Sequence, residues 1–237
     1  MKSVLSVVFI FFSIQFSIAQ LFSKERILNN ENFDKAKLSY GYYLGFNVYD
    51  FNVDYHTDVK DIQVLKSTGF NVGLVGNVRV NDYIDIRLEP GLVISARELS
   101  YSKTYFTGID FEDKDLTREV QSTFIHVPLL VKLSSKRINN IKPFVVAGVS
   151  TALNLSSQED NSDDNSKGVF RVIKNNMYYE LGIGIDLYLT WFKFTPSIRG
   201  VFSIKDELIK DIDPNSPWTQ NISQMQTRGL FINFTFQ

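Results

Sequence analysis

The sequence predicts an all-β fold, a transmembrane antiparallel up-and-down β-barrel of about eight strands with short periplasmic turns and long external loops. Three observations predict it. Apolar residues recur with a period of two along nearly the whole chain after residue 38. Charged and small residues fall on the opposite face, a pattern suited to a narrow barrel with lipid outside and polar groups inside. The connections alternate between short and long, as they do in outer-membrane barrels.

Composition narrows the function classes. The 237 residues carry 25 Lys plus Arg against 26 Asp plus Glu, which leaves no basic footprint for nucleic acid. With no Cys, the chain has no disulfides, thiol catalysis, Cys-ligated metal or lipidated Cys. Aromatic residues make up 14%, too many for a disordered chain.

Residues 1–19 read as a secretory signal peptide. Lys2 is the only charge, an apolar run follows from Val4 to Phe12, and Ser17-Ile18-Ala19 supplies small residues before Gln20, so cleavage is expected after Ala19. Residues 20–37 then form a periplasmic lead, with Leu21, Phe22, Ile27, Leu28 and Phe33 set among charges, able to dock a partner or plug the barrel base. Residues 38–237 form the barrel. No later apolar run is long enough for a membrane helix, and a membrane protein without spanning helices must be a closed barrel.

Strands are expected at 38–53, 68–80, 83–97, 120–133, 142–157, 175–190, 192–204 and 226–236. The first alternates Leu38, Tyr40, Tyr42, Leu44, Phe46 and Val48 with Gly41 and Gly45. The second sets Phe70, Val72, Leu74 and Val78 against Gly69, Gly73 and Arg79. In the third, Ile84, Ile86, Leu88, Leu92 and Ile94 oppose Asp85, Arg87, Glu89 and Arg97, four charges on one parity. Ile125, Val127, Leu129, Val131 and Leu133 oppose Lys132 in the fourth, and Val145, Ala147 and Val149 oppose Gly148 in the fifth. The sixth sets Met177, Tyr179, Leu181, Ile183 and Ile185 against Glu180, Gly182, Gly184 and Asp186. Phe194, Ile198 and Phe202 oppose Lys193 and Arg199 in the seventh, and Leu230, Ile232, Phe234 and Phe236 oppose Gly229 in the last. No charge is expected on the apolar face. Asn81-Asp82, Ser134–Ile141 and Thr190-Trp191 are the short turns; Asp54–Ser67, Phe106–Glu119, Ser156–Lys174 and Lys205–Met225 are the long loops. Pro90 and Pro128 lie inside strands and predict bulges or ladder gaps, and a bulge at Pro128 would invert the facing of Ile125 to Val127.

An eight-stranded barrel has an interior that side chains fill. Asp85, Arg87, Glu89, Arg97, Lys132, Glu180, Asp186 and Arg199 are expected to form an internal ion-pair network of structural role, with Tyr43, Tyr49, Tyr83, Tyr178 and Tyr188 beside them. Catalytic and metal signals are weak. His126 is read as a satisfied lumen histidine. His56 with Asp54 and Asp58, and the acidic tip Glu159, Asp160, Asp163 and Asp164, are read as solvated loops, so no cofactor and no metal are expected. No nucleotide loop or metalloprotease motif points to a small-molecule substrate.

A family resemblance emerges at the second and third strands. Gly69-Phe70-Asn71-Val72-Gly73-Leu74-Val75-Gly76-Asn77-Val78-Arg79-Val80, running into Asp85-Ile86-Arg87-Leu88-Glu89-Pro90-Gly91-Leu92, resembles the PorT (SprT) family of Bacteroidota outer-membrane barrels. Tyr42–Asn47, Ile125–Lys132 and Pro143–Gly148 resemble other strands of that group, and Thr227–Gln237 is similar to the last-strand signal read by the outer-membrane insertion machinery. The resemblance implies a non-enzymatic subunit of the type IX secretion system. Such a subunit exports proteins with C-terminal sorting domains, and gliding adhesins where present. Its partners would be outer-membrane lipid and other secretion components. The family brings no catalytic residues. The alternatives are a lipid-modifying barrel enzyme using His126 or His56, a surface-binding barrel unrelated to secretion, and a soluble barrel with the apolar face inward.

Overall fold

The computed structural model describes residues 28–57, 60–108, 110–159 and 170–237. The signal segment and residues 20–27 of the lead lie outside them. The described chain starts with a short 3-10 helix, Glu31–Lys35. It continues through β1 (Leu38–Tyr55), β2 (Gln63–Lys66), β3 (Thr68–Arg79), β4 (Ile84–Leu88), β5 (Gly91–Ser100), β6 (Thr117–Ser134), β7 (Ile141–Asn154), β8 (Asn175–Tyr188), β9 (Lys193–Ser203) and β10 (Ile222–Phe236).

All pairings are antiparallel, and β1 pairs with β10 on one side and β3 on the other, so the sheet closes on itself. β4 and β5 both pair with β3 and β6 and make one wall strand, while β2 extends the β3 wall along β5. The ring therefore has eight walls. Closure leaves no free edge, so the backbone groups of the band pair with one another except where a proline lacks its N–H.

The alternation drives the burial. Leu44, Phe46, Leu74, Ile86, Leu129, Leu181, Ile183 and Ile232 point outward and exposed, while Asn47, Asn71, Arg87, Lys132, Glu180 and Asn233 point inward and buried. Aromatic side chains edge the outward band at both ends. Tyr42, Phe194, Phe234 and Phe236 stack near the short turns, and Phe46, Phe70, Tyr179 and Phe202 lie toward the long loops. Inside, glycines give large rings room: a Cβ on Gly73 would meet the Tyr43 ring at 2.7 Å, and one on Gly229 the Tyr49 ring at 2.6 Å.

Three expectations are corrected. First, of the two outcomes expected at the prolines, the structure shows the ladder gap and not the bulge. The β3 and β6 registers run through Pro90 without a shift, and Pro128 sits directly opposite Ser150. Both prolines fall in one notch of the ladder, where the Glu89 N–H donates to the Pro128 carbonyl at 3.1 Å. Because the register is kept, Ile125 and Leu129 face the same way. Second, Tyr83 lies in the β3–β4 turn, exposed, and is not a lumen residue. Third, the outward parity is not free of charge: Asp50 on β1 and Arg228 on β10 continue it just past Val48 and Leu230.

Three strands, β1, β6 and β10, run longer than expected, while β3, β7, β8 and β9 run shorter. β1 and β6 have 18 residues each, where a crossing needs about 9–11. They project past the band at the long-loop end, where Phe51, Leu99, Tyr101, Phe106, Val120 and Trp218 pack into an apolar cap.

Candidate functional site

The lumen is layered. At mid-height, Arg87 Nη2 lies 2.9 Å from Glu89 Oε1, Arg199 Nη1 donates to Glu89 Oε2 at 2.8 Å, and Arg199 Nε lies 3.0 Å from Glu180 Oε2. His126 Nε2 lies 2.9 Å from Glu180 Oε1. These side chains come from β4, the β4–β5 notch, β9, β8 and β6, so the chain of charges ties four walls across the interior. Nearer the short turns, Lys132 Nζ donates to Asp186, and Thr195 Oγ1 donates to the other Asp186 oxygen at 2.7 Å. Lys132 also sits over the Phe144 ring at 4.1 Å.

Two residues of the expected network stand apart. Asp85 makes no ion pair among the described residues; it lines a cavity of about 20 Å³ with Lys142 and Lys193. Arg97 has no carboxylate in direct contact among the described residues. Its guanidinium lies 3.8 Å from the centre of the Phe51 ring and donates to Thr227 Oγ1 at 2.9 Å and Ser122 Oγ at 3.1 Å. Thr227 passes the charge on, since its hydroxyl donates to Glu207 at 2.7 Å. Glu207 belongs to the last long loop and is buried, and burial pushes its carboxyl above the ordinary value against the pull of Arg97.

The short-turn end is closed by the lead. Asp34 of the 3-10 helix accepts from the Tyr188 hydroxyl at 2.8 Å and from Arg137 Nη1 at 3.0 Å and Arg79 Nη2 at 3.2 Å. Arg137 stacks on the Tyr188 ring, 3.8 Å from its centre, and donates to the Asn29 carbonyl. Lys193 lies 4.3 Å above the Phe33 ring. Burial alone would raise the Asp34 pKa, but the Tyr188 and Arg137 hydrogen bonds and the charges of Lys142 and Arg79 outweigh it, and the pKa is lowered. The ten strand charges expected inside were six basic and four acidic. Asp34 from the lead and Glu207 from a loop supply two more carboxylates, and neither could be assigned to the lumen by strand parity.

The arrangement at His126 is not a catalytic triad. Ser150 Oγ and Glu180 Oε1 both lie 2.9 Å from the same nitrogen, Nε2, and Nδ1 has no hydrogen-bond partner. A triad needs the carboxylate on one ring nitrogen and the hydroxyl on the other. Sequence spacing gave no sign of this meeting, because the three residues sit on three neighbouring strands. His56 Nε2 faces the Lys210 ammonium at 3.4 Å, which opposes a cation there, and its expected neighbour Asp58 lies outside the described residues. In the acidic tip, Glu159 accepts from the Lys174 N–H at 2.5 Å, and Asp160, Asp163 and Asp164 lie outside the described residues. Among the described residues no group of His, Asp and Glu is placed to hold a metal.

Comparison with known proteins also finds an outer-membrane barrel. Residues 18–208 match the family model of the outer membrane protein beta-barrel domain. The chain belongs to that family. This outer-membrane barrel is similar to the solved structure of OprG from Pseudomonas aeruginosa, with 11% identity, a TM-score of 0.45, and coverage of 84% of this chain and 93% of that one. It is also similar to Neisserial surface protein A, with 10% identity, a TM-score of 0.39, and coverage of 84% and 98%. Ail of Yersinia pestis matches at 9% identity and a TM-score of 0.38, covering 85% and 99%. No curated protein matches it in sequence. Family membership places the chain in the outer membrane, with the short turns periplasmic and the long loops external.

Proposed function

We propose that this barrel is a non-enzymatic subunit of a type IX secretion machinery, needed for export of proteins with C-terminal sorting domains and acting through its periplasmic face and external loops. The observation that carries the reading is the stretch Gly69–Leu92. It resembles the PorT family, it forms β3 to β5, and it contributes Arg87 and Glu89 to the central charge chain. The lumen supports a contact role, since side chains fill it and the 3-10 helix and the apolar cap cover its two ends. Work is then left to the outer surfaces. The lead is the best candidate contact, because Leu28 is 43% exposed where the chain enters the periplasmic side.

The test is a clean deletion in the native host, with mass spectrometry of the secreted fraction and the periplasm. Loss of sorting-domain proteins outside, with accumulation in the periplasm, supports the proposal; unchanged export overturns it. A second strain lacking only residues 20–37 is expected to insert its barrel and still fail to export.

A further inference from the structure

The outer wall carries one ion cluster that neither the lumen nor the secretion reading uses. Asp50 on β1 is directly opposite Arg228 on β10, and both keep the outward parity of Val48 and Leu230 one step further toward the external loops. Lys66 of β2 flanks Asp50 from the other side at 3.0 Å. Arg228 Nε and Nη2 lie 2.9 and 2.8 Å from the same oxygen, Oδ2. The carboxylate is covered, with 12% of its side chain exposed, against 46% for Lys66 and 53% for Arg228. Two cations thus face outward around one buried anion, for a net charge of +1. One carboxylate does not neutralise two cations, and the exposed faces of Lys66 and Arg228 remain turned to the surroundings.

Below the cluster lies a groove of about 400 Å³. Val48, Phe202 and Leu230 form its membrane side, and Lys66 and Arg228 its outer rim. The groove is open because of where Phe202 goes. Its strand neighbour Gly200 has no side chain, and a Cβ there would meet the Phe202 ring at 2.8 Å. The ring lies over that glycine and stacks on Tyr179 with centroids 5.0 Å apart, away from Arg228 across the ladder.

We propose that this groove binds the phosphorylated headgroup of an outer-leaflet lipid. The phosphate sits between Lys66 and Arg228, and an acyl chain runs down over Val48, Phe202 and Leu230. The placement fits the physics at each height. The cations stand at the edge of the apolar band, where headgroup phosphates are. The groove continues the lipid-facing surface. The guanidinium keeps Nη1 for a phosphate oxygen after Asp50 has taken Nε and Nη2.

The test uses the full mature chain in an uncharged detergent, with dioleoyl phosphatidic acid and dioleoylglycerol as probes and retained lipid read by native mass spectrometry. The two probes share their chains and differ in the phosphate. The expected result is tighter retention of the phosphatidic acid by about tenfold, given a few-fold per basic residue near a lipid surface. The double variant Lys66→Gln/Arg228→Gln is expected to bring retention down to the dioleoylglycerol level. Asp50→Asn is expected to keep or increase it, since the cluster then carries one more net positive charge. Heat-modifiable migration on cold SDS gels establishes that each variant is folded, and Lys66→Gln alone serves should the double variant not fold. Equal retention by the wild type and the double variant overturns the proposal. So does loss on Asp50→Asn, which would mark a purely structural cluster. Displacement of the lipid by inorganic phosphate at matched concentration would overturn it in favour of a small-anion site.

Discussion

Glu180 meets Arg199 and His126 in the middle of the barrel, where none of the three reaches water. Deleting one partner of a buried charge cluster leaves the others desolvated and unpaired, and that costs about 3–5 kcal/mol. Glu180→Ala is therefore expected to lower stability by roughly 3 kcal/mol, at the low end because Arg199 keeps Glu89. Urea unfolding from lipid vesicles, followed by tyrosine fluorescence, measures it. Arg97 provides the contrast. It rests on the Phe51 ring and two hydroxyls and meets Glu207 only through Thr227, so Arg97→Met is expected to cost less than Glu180→Ala, about 1–2 kcal/mol. Equal losses in the two variants would mean that ion pairing is not what holds the lumen. Strand parity was enough to send these charges inward. It could not say which would meet, because Glu89 and Arg199 stand 110 residues apart and join only through the stagger of the closed ring. Parity also could not place Asp34 or Glu207, which enter the lumen from outside the strands.

The elements differ in how plainly the sequence marks them. Every wall strand was visible in the period-two pattern, since a lipid band outside and a crowded lumen inside leave no latitude on either face. Pro90 was legible as an interruption, a bulge or a ladder gap, and sequence alone could not choose the gap that the kept register shows. Residues 74 and 90 are opposed in the ladder, where the Leu74 N–H donates to the Pro90 carbonyl at 2.9 Å. In such an antiparallel pair the return bond needs an N–H at position 90. Pro90→Thr should restore it, so the variant is expected to match or exceed the wild type in stability by up to about 1 kcal/mol. A loss above that size, read in the same urea titration, would mean that the notch itself is required. The lead helix is governed by acidity. The lowered Asp34 pKa means its contacts contribute fully above the unfolded Asp value of about 3.9. They are lost as pH falls through the lower native value. Amide signals of residues 31–35 in micelles are expected to keep their dispersion at pH 6 and lose it near pH 2.5, a range chosen about this unfolded value, while the barrel signals persist. Unchanged signals at the lower pH would mean that Asp34 is not the latch.

Seen as one molecule, the barrel is shut three times over. The apolar cap covers the external mouth, the central charge chain crosses the middle, and the lead helix covers the base. The cap was the layer the sequence hid, because its aromatic residues are scattered through loops whose overall composition is polar. These closures are not equivalent. The helix is a single piece of chain that can be removed, whereas the cap draws on several strands and loops, and the middle is built from side chains of several walls and cannot be emptied without unfolding the ring. The cavity between the helix and the charge chain is only about 20 Å³, near the space needed for one water. With the base uncovered the central charge chain still crosses the lumen, which leaves a hydrated ion no path. Planar-bilayer recordings are expected to show no steady conductance for the full barrel, and none after residues 20–37 are deleted. Discrete channel openings in the deletion would locate the seal at the base and remove the argument that the outer surfaces carry the function.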